Sequence, residues 1–473
     1  MITDVPSGRV AVIGSGLTGI YTAYLLSVAG VYVDLFERSD HIGMDSESVS
    51  VTLKGTEHRV DVPMRAFSTG YYPELTRLYK DLSIKSEPTR FSFSFALANM
   101  KEPLVPSVMY DGRARGGRLH FPLHSGAFSM VANAYRFVII AAGYLYLLTL
   151  ALYHSRRGNT RNDNHKLSRI TFGEWASNLW LGSFFVCSLL LPMLSSILTT
   201  DMQSAAATPA NELLEYIARS FLSQHYTVKT GVRSVVDKLI NPIPQEQIHL
   251  GVDIDDLVIR GNTVSLSING PYGRKDMHGY THMVFATPAC TSAKMISRMC
   301  ESLDHGPLYQ WLKRTQAELI RLRYMLSTVI VHTDRAILPS KPDFWRDLNF
   351  TSPNTAPSPH GVPLSTMASH IVLRDKDHVV IQTTNPLPQL APRRDTIISQ
   401  STFQRFVLSL ESNAVRKLFF RNGSLGELQG ASVPGAPAVY VCGSWSSGIP
   451  LLEGCVSSAR LTAASILQGV TIH

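Results

Sequence analysis

The pattern of apolar and polar residues at the start of the chain predicts a strand, a helix and a second strand. Residues 9–13 form a short β-branched run, which is typical of a buried parallel strand. Apolar residues then recur at helical spacing over 20–28, and Gly30 stands where a helix commonly ends. A second apolar run at 31–36 leads directly into Glu37. The pattern predicts a β-α-β unit.

The turn between the first strand and the helix has the spacing of a dinucleotide-binding fingerprint. Gly14 permits a tight turn, Gly16 lets a diphosphate approach the backbone, and Gly19 lets the helix pack closely on the strand. Free N–H groups at the positive end of the helix stabilise the diphosphate. Glu37 stands where a carboxylate accepts hydrogen bonds from an adenosine ribose. We therefore expect dinucleotide binding here; the alternative is a glycine-rich turn that binds nothing.

The segment from Glu37 to Gly43 resembles the acidic, basic and glycine positions that extend this fingerprint in flavoproteins of the amine oxidase and phytoene desaturase superfamily. Met44 and Asp45 stand where that superfamily usually has a second glycine and a basic residue. The resemblance implies FAD rather than NAD as the cofactor. We expect the FAD to be bound non-covalently.

The C-terminal end of the chain agrees with this resemblance. A predicted strand ends at Gly443, and a predicted helix opens near Leu452 and Glu453. This is similar to the C-terminal flavin segment of the superfamily, where a helix N-terminus points at the pyrimidine end of the flavin ring. A helix N-terminus stabilises negative charge, which reduced flavin gathers at that end. The residues expected to bind the cofactor are Gly14, Ser15, Gly16, Gly19, Glu37, Arg38, Gly43, Arg65, Ile254, Gly443, Leu452 and Glu453.

The resemblance covers nearly the whole chain and implies its organisation. Arg65 belongs to a segment similar to the turn at the flavin, and Ile254 matches the position whose backbone faces adenine in the superfamily. The implied fold class is α/β, with a Rossmann-type FAD-binding domain that is discontinuous in sequence and a second, α+β substrate domain. The FAD-binding domain is expected to comprise 1–90, 225–290 and 430–473, and the substrate domain 91–224 and 291–429.

Composition narrows the class of protein. Charged residues make up 17% of the chain, against about 25% in an average globular protein, so an unusual share of the surface or of a pocket is apolar. The five cysteines show no zinc spacing and no even-numbered framework, so neither a metal site nor disulfides are expected. No cationic and apolar leader opens the sequence, which favours an intracellular protein that is not secreted.

Two uncharged stretches, at 137–153 and 179–200, raise the question of a membrane. Three alternatives stay open for them: buried helices of the substrate domain, insertion into one membrane face, and a full span. The formal net charge of +8 and the cations beside the first stretch fit anionic headgroups. Nucleic acid is not an expected partner, because no recognition module is present. The flanking cations are Arg113, Arg115, Arg118, Arg156, Arg157, Arg161, Lys166 and Arg169.

No hydrolase, metalloprotease or P-loop motif occurs, and no catalytic residue is assigned. His332 beside Asp334 resembles a base and its orienting group, but on an apolar strand a structural role is favoured; Trp445 is a candidate aromatic wall. We expect an FAD-dependent oxidoreductase that oxidises, desaturates or isomerises a small apolar substrate, such as a lipid or polyene, by hydride transfer to flavin. The alternatives are a non-catalytic lipid carrier of the same fold and a nicotinamide-dependent dehydrogenase.

Overall fold

The computed structural model describes most of the chain. One of the expected flanking cations, Arg115, lies outside the described residues. Those described are 8–98, 103–113, 117–122, 127–179, 181–220, 223–353, 366–375, 378–421, 423–431 and 433–470.

The described residues form strands throughout the chain, several of them in regions where the sequence shows alternating apolar positions. In chain order the strands are β1 Arg9–Ile13, β2 Tyr32–Phe36, β3 Val49–Leu53, β4 Thr56–Val60, β5 Ala66–Ser68, β6 Ser86–Thr89, β7 Ser92–Ala98, β8 Pro106–Asp111, β9 Arg118–His120, β10 His225–Val228, β11 Ile248–His249, β12 Asp253–Arg260, β13 Thr263–Gly270, β14 Gly273–Phe285, β15 Tyr324–His332, β16 Leu348–Pro353, β17 Met367–Arg374, β18 Val379–Thr384, β19 Ile397–Phe406, β20 Phe420–Arg421, β21 Ser424–Leu425 and β22 Ala438–Val441.

Helices connect these strands and form a separate layer between 127 and 220. They are α1 Leu17–Val28, α2 Pro73–Asp81, α3 Ala127–Arg156, α4 Phe172–Ser177, α5 Ser183–Phe185, α6 Leu191–Leu198, α7 Met202–Ala207, α8 Ala210–Ser220, α9 Arg233–Ile240, α10 Ala289–Glu301, α11 Pro307–Ile320, α12 Leu410–Arg416 and α13 Leu452–Val470, with a π-helical turn at Val186–Leu190 joining α5 to α6.

The first large sheet is Rossmann-like and contains the predicted β-α-β unit. Its order is β11-β2-β1-β14-β13-β12, and β22 pairs with β14. Strand β1 lies between β2 and β14 with parallel neighbours on both sides, so its side chains are covered on both faces, and Val10, Ala11 and Val12 are fully buried. All strands of this sheet come from 1–90, 225–290 and 430–473. The predicted α/β class is confirmed.

A buried carboxylate ties this sheet together at Asp34, which is 1% exposed. It accepts hydrogen bonds from Arg9 (Nη2, 2.8 Å), the Tyr280 hydroxyl (2.7 Å) and His249 Nε2 (2.9 Å). Burial by itself raises the pKa of Asp34, but these hydrogen bonds and the Arg9 charge outweigh burial and hold that pKa below its usual value. The ionised form therefore stabilises the fold.

The second large sheet has eight strands in the order β19-β15-β18-β17-β16-β7-β8-β9. Its strands come from 91–224 and 291–429. Residues that are direct partners on neighbouring strands point to the same face of a sheet. One such row runs across the sheet and defines what we call the inner face, which contacts the loop between β4 and β5. The row contains Ser399, Val331, Gln382, His370, Leu348 and Phe93.

Helix α3 is apolar and largely uncovered. A narrow stripe, including Ile140, Leu147 and Ala151, is buried, and α3 packs against α8 and α5. Much of the remaining surface is exposed, as at Val138 (60%) and Leu145 (65%). In the part of the chain that the structure describes, residues 130–156 form the one helix long and apolar enough to cross a bilayer, and 28% of its most apolar window is buried.

The second apolar stretch behaves differently, because it folds into the interior. Leu189, Leu190, Leu191 and Leu194 are each less than 9% exposed and belong to the main hydrophobic core. Pro192 lies just after the π-helical turn in this continuous helical segment, at a place where the regular helical hydrogen bonding is already altered. Most of the described residues of 185–200 therefore face the protein interior, as one of the three sequence-based alternatives expected, whereas much of 137–153 is exposed.

Candidate functional site

Two of the fingerprint glycines are required by packing within the protein itself. Gly14 follows β1 with φ at +100°, and a Cβ there would lie 2.8 Å from the carbonyl oxygen of Ala286. A Cβ at Gly19 would lie 1.8 Å from the carbonyl oxygen of Gly14. Both positions therefore exclude a side chain, because the first turn of α1 sits directly on the end of β1.

Gly16 is different, because no contact with the described residues requires a glycine at this position. Its φ and ψ of −60° and 172° suit any residue, and no atom lies within 4 Å of a Cβ placed there. Gly16 is the N-cap of α1, and no side chain caps that end of the helix. Open space therefore faces uncapped backbone N–H groups at a positive helix end, which is the arrangement that an anionic ligand requires.

The acid at the end of β2 lies directly beside this space. Glu37 Oε2 accepts hydrogen bonds from the Ser15 backbone N–H (2.8 Å) and the Ser15 hydroxyl (2.7 Å). The Ser15 hydroxyl oxygen in turn accepts a hydrogen bond from the Gly43 N–H (2.7 Å). The structure thus brings together Ser15, Glu37 and Gly43, whereas Arg38 is exposed and makes no hydrogen bond or ion pair with the described residues.

The segment entering β12 runs along the same loop. The Val252 N–H donates to the Glu37 carbonyl (3.0 Å), and the Gly251 N–H donates to that of Ser39 (2.8 Å). Ile254 lies two residues further on; its side chain is buried, and its carbonyl accepts a hydrogen bond from Arg298. Ile254 is therefore near the acid loop, but its backbone oxygen already has a partner within the protein.

The C-terminal segment brings a second helix end to the same region. Strand β22 ends before Gly443, and Leu452 begins α13, which packs against α1. The Cys455 thiol, in the first turn of α13, contacts the Thr18 side chain in the first turn of α1, and burial raises the pKa of that thiol. The two helix N-termini are therefore neighbours.

Glu453 has a structural task that the sequence did not reveal. Its two carboxylate oxygens accept hydrogen bonds from the N–H groups of Glu74 (3.0 Å) and Leu75 (3.1 Å), in the first turn of α2. Burial raises the pKa of Glu453. The carboxylate thus caps α2, and any contribution of Glu453 to cofactor binding comes from its backbone.

Arg65 lies on the loop between β4 and β5, and its side chain reaches the segment at Met44. Its Nη2 lies 3.4 Å from the carbonyl oxygen of Met44, while its buried Nε has no hydrogen-bond partner. Burial lowers the pKa of Arg65, and the Asp61 charge opposes this. The same loop is bound to the inner face of the second sheet, since the Gln382 side chain accepts from the Met64 N–H (2.7 Å) and donates to the Asp61 carbonyl (2.9 Å).

Buried polar atoms without partners accumulate on this inner face. His370 lies on the row that contains Gln382, and alternation along β15 and β19 places Ser327, Ser399 and Arg405 on the same side. In each of these four residues at least one buried side-chain nitrogen or oxygen has no hydrogen-bond partner among the described residues. Such atoms are rare in folded proteins, so this face offers unused hydrogen-bonding groups to a polar ligand or to water.

Aromatic rings and two neutral histidines continue the lining. The Phe91 ring lies 6.3 Å from the imidazoles of both His225 and His370, and Phe350 stacks on Phe93 and Phe95. Burial lowers the pKa of His370 to about 4 and also lowers that of His225, so both are uncharged near neutrality. Sequence reasoning missed these residues, because only strand register brings them together.

Two other sequence candidates, His332 and Trp445, are buried in the structure. His332 is fully buried: its Nε2 bonds to the Thr383 hydroxyl (2.8 Å) and its Nδ1 accepts from the Asp334 N–H (3.1 Å). The structural role favoured for His332 therefore agrees with its contacts. Trp445 is 2% exposed and packs edge-on against Phe419 and Phe420, while its buried indole N–H has no hydrogen-bond partner among the described residues, so its part in an aromatic wall stays a prediction.

Comparisons with known proteins agree with this geometry. Residues 12–82 match the model of an NAD(P)-binding Rossmann-like domain. A redesigned putrescine oxidase superposes with a TM-score of 0.59 at 12% identity, over 98% of this chain and 99% of that one. The corresponding values are 0.58, 12%, 98% and 100% for a cyclohexylamine oxidase from Brevibacterium oxydans. The chain has the amine oxidase fold.

A third protein with this fold is a CLA-producing fatty acid isomerase from P. acnes, with a TM-score of 0.60 at 13% identity, over 98% of this chain and 99% of that one. No sequence among curated proteins matches the chain. The resemblance to the amine oxidase superfamily is thus confirmed for the fold, over nearly the whole chain. At these identities the shared fold leaves the substrate open.

Proposed function

We propose that this protein is an FAD-dependent oxidoreductase of the amine oxidase-like type, and that FAD binds non-covalently. The observation that carries the proposal is the open space at Gly16, which faces an uncapped helix end and lies beside Ser15 and Glu37. The fit is chemical as well as steric. Backbone N–H donors face the space, and the Glu37 carboxylate is hydrogen-bonded to Ser15, the residue before Gly16. A diphosphate and a ribose require these two partners.

The residues divide the task of holding such a cofactor. The N-terminus of α1 would bind the diphosphate, and Glu37 would accept hydrogen bonds from ribose hydroxyls. The N-terminus of α13 would stabilise negative charge on the flavin ring. When bound, FAD supplies the hydride acceptor. The inner face of the second sheet would orient the substrate and exclude water, since the Phe91 and Phe93 rings and the neutral His370 lie on that side.

The proposed substrate is a small apolar molecule that is oxidised, desaturated or isomerised. Aromatic rings and uncharged imidazoles favour an apolar substrate, because they offer little compensation for the desolvation of a charged one. The fold itself accommodates different chemistries, since a fatty acid isomerase and amine oxidases both have it. The apolar class therefore rests on the rings of Phe91 and Phe93 and not on the comparisons.

The absorbance spectrum of the purified protein tests the cofactor. Flavin absorbance bands at about 370 and 450 nm should accompany the purified protein. Acid precipitation should release all of the colour into the supernatant. Colour that stays in the pellet would mean a covalent link and contradict the non-covalent part. A colourless protein that binds neither FAD nor NADH but retains a lipid would support the carrier, and one that binds only NADH would support the dehydrogenase.

We also propose that α3 lies on an anionic membrane surface. Its exposed face is apolar along most of its length, and at its C-terminal end Arg156, Arg157, Lys166 and Arg169 are exposed without a carboxylate partner in the part of the chain described. Burial of each large exposed side chain in lipid contributes about 1.5–3 kcal/mol, and each cation near an anionic surface adds about 1 kcal/mol. The buried stripe of α3 packs against α8 and keeps α3 attached to the protein, which favours docking on the membrane surface over a full span.

Flotation with anionic and neutral vesicles tests this docking. The wild type should float with anionic vesicles at low salt, and Arg156→Glu with Arg157→Glu should weaken flotation and its salt dependence. A control with the same change of charge is Arg260→Glu with Lys275→Glu, on exposed strands away from α3. Leu145→Gln should also weaken binding without loss of stability, because Leu145 is 65% exposed. Wild type that stays at the bottom with anionic vesicles would refute the docking.

A further inference from the structure

Two arginines inside the protein carry N–H donors that no acceptor among the described residues satisfies. The Nε of Arg65, and the Nε and Nη2 of Arg405, are buried nitrogens without a hydrogen-bond partner. Both residues nevertheless retain partial accessible surface. A buried unpaired cation is strongly unfavourable, so groups of this kind are normally paired or hydrogen-bonded.

The position of Arg65 ties it to the fingerprint turn. Its guanidinium approaches the carbonyl of Met44, and a Cβ on the preceding Gly43 would lie 3.3 Å from the Gly16 nitrogen. The Arg65 charge also acts on the Cys455 thiol, which lies beside Thr18. Arg65 is therefore close to the N-termini of both α1 and α13.

Arg405 reaches this region from the other domain. Arg405 lies on β19 opposite Met325 of β15 and points to the inner face. Ser401 of β19 points to the same face, and its hydroxyl donates to the Glu47 carboxylate (2.6 Å). Burial lowers the pKa of Arg405 to about 9, and the charge of Arg65 contributes to this shift. The two guanidinium groups therefore occupy one interior region and repel each other.

Within the described residues, no nearby carboxylate accepts a hydrogen bond from these buried nitrogens. Asp45 pairs with Arg59 at 2.6 Å. Asp61 accepts a hydrogen bond from the Val232 N–H at 3.0 Å, and burial raises its pKa, which weakens it as a counter-ion for Arg65. Glu47 accepts from Ser401. The buried donors of Arg65 and Arg405 therefore call for a ligand that offers several acceptor oxygens.

We infer that Arg65 and Arg405 bind the diphosphate of the dinucleotide, opposite the N-terminus of α1, so that the cofactor joins the two domains. The inference rests on the proposed function. A diphosphate carries two negative charges, and its oxygens accept the paired N–H donors of a guanidinium. Arg405 is thus a binding residue for a cofactor whose other contacts come from the first domain.

Binding and stability measurements on apo-protein test the inference. The variants are Arg405→Gln, Arg405→Lys and, as a matched control, Arg323→Gln, an exposed arginine next to β15 of the same sheet. FAD and riboflavin, which lacks a diphosphate, are titrated by flavin fluorescence. We expect R405Q to weaken FAD binding by about 10- to 100-fold, R405K to weaken it less, and R323Q to leave it unchanged. Riboflavin binding should be unchanged in all three.

Thermal unfolding separates this role from a merely structural one. Removing a buried unpaired cation should leave the midpoint of the apo-protein unchanged or raised in R405Q, whereas the rise on adding FAD should shrink. An R405Q apo-protein that is less stable than wild type, or that binds FAD as tightly, overturns the inference. Equal loss of riboflavin binding also overturns it, because the contact would then be to the flavin ring. Wild type that binds no FAD at all overturns the proposed function instead.

Discussion

The contrast between Gly16 and Gly19 yields a prediction that separates folding from cofactor binding. A Cβ at Gly19 would lie 1.8 Å from the Gly14 carbonyl oxygen, whereas one at Gly16 meets no atom within 4 Å. Gly16→Val should therefore fold normally yet lose FAD, because its side chain fills the open space at the helix end. Gly19→Ala should lose stability itself, because backbone must move to relieve the overlap.

The sizes of the two effects follow from the geometry. Overpacking against backbone costs about 3 kcal/mol. Unfolding entropy is about 2 cal/mol/K per residue, so a cooperative unit of this length has about 1 kcal/mol/K and its midpoint falls by about 3 °C in G19A. For G16V, loss of two charge-assisted hydrogen bonds costs about 3 kcal/mol or more, which weakens FAD binding by about 100-fold.

The assays are thermal unfolding of apo-protein and FAD titration by fluorescence, carried out on both variants and on wild type. G16V with an unchanged apo midpoint and lost binding supports the placement of the diphosphate. Stoichiometric flavin in G16V would show that the cofactor does not use this turn. A midpoint of G16V that falls as far as that of G19A would show that the space at Gly16 is not open.

Two further predictions concern acid stability. The folded-state pKa of Asp34 lies below its ordinary value of 3.8, so the stability that ionised Asp34 contributes is complete above that value and is lost as the pH falls through the folded-state pKa. Asp34→Asn should lower the free energy of unfolding at pH 7 by about 3 kcal/mol and flatten the acid limb of a profile of urea midpoint against pH. An unchanged profile would contradict this. The pKa of His370 is about 4 in the folded state and 6.5 in the unfolded chain. The unfolded chain therefore binds more protons over this range, and stability falls as the pH drops from 6.5 to 4. His370→Gln should reduce the slope of the urea midpoint against pH over that range, and an equal slope would show that His370 is not enclosed.

The sequence by itself determined the first β-α-β unit and the cofactor turn. Local rules suffice there, because Gly14, Gly16, Gly19 and Glu37 act within one short segment whose strand and helix periods are evident. Resemblance extended this to the fold of the whole chain, which the comparisons confirm. The run of uncharged residues also drew attention to the two apolar stretches, but did not reveal that one is largely buried and the other largely exposed.

Tertiary structure decided what periodicity cannot encode. The stretch at 179–200 is largely buried and the one at 137–153 is largely exposed, because only the packed neighbours show which apolar surface is covered. Glu453 serves α2 through contacts more than 370 residues apart in sequence. The inner face of the second sheet, with His370 and Arg405, results from strand order and register. Such long-range pairings depend on the free energy of the whole assembled core, so no local window of the sequence contains them.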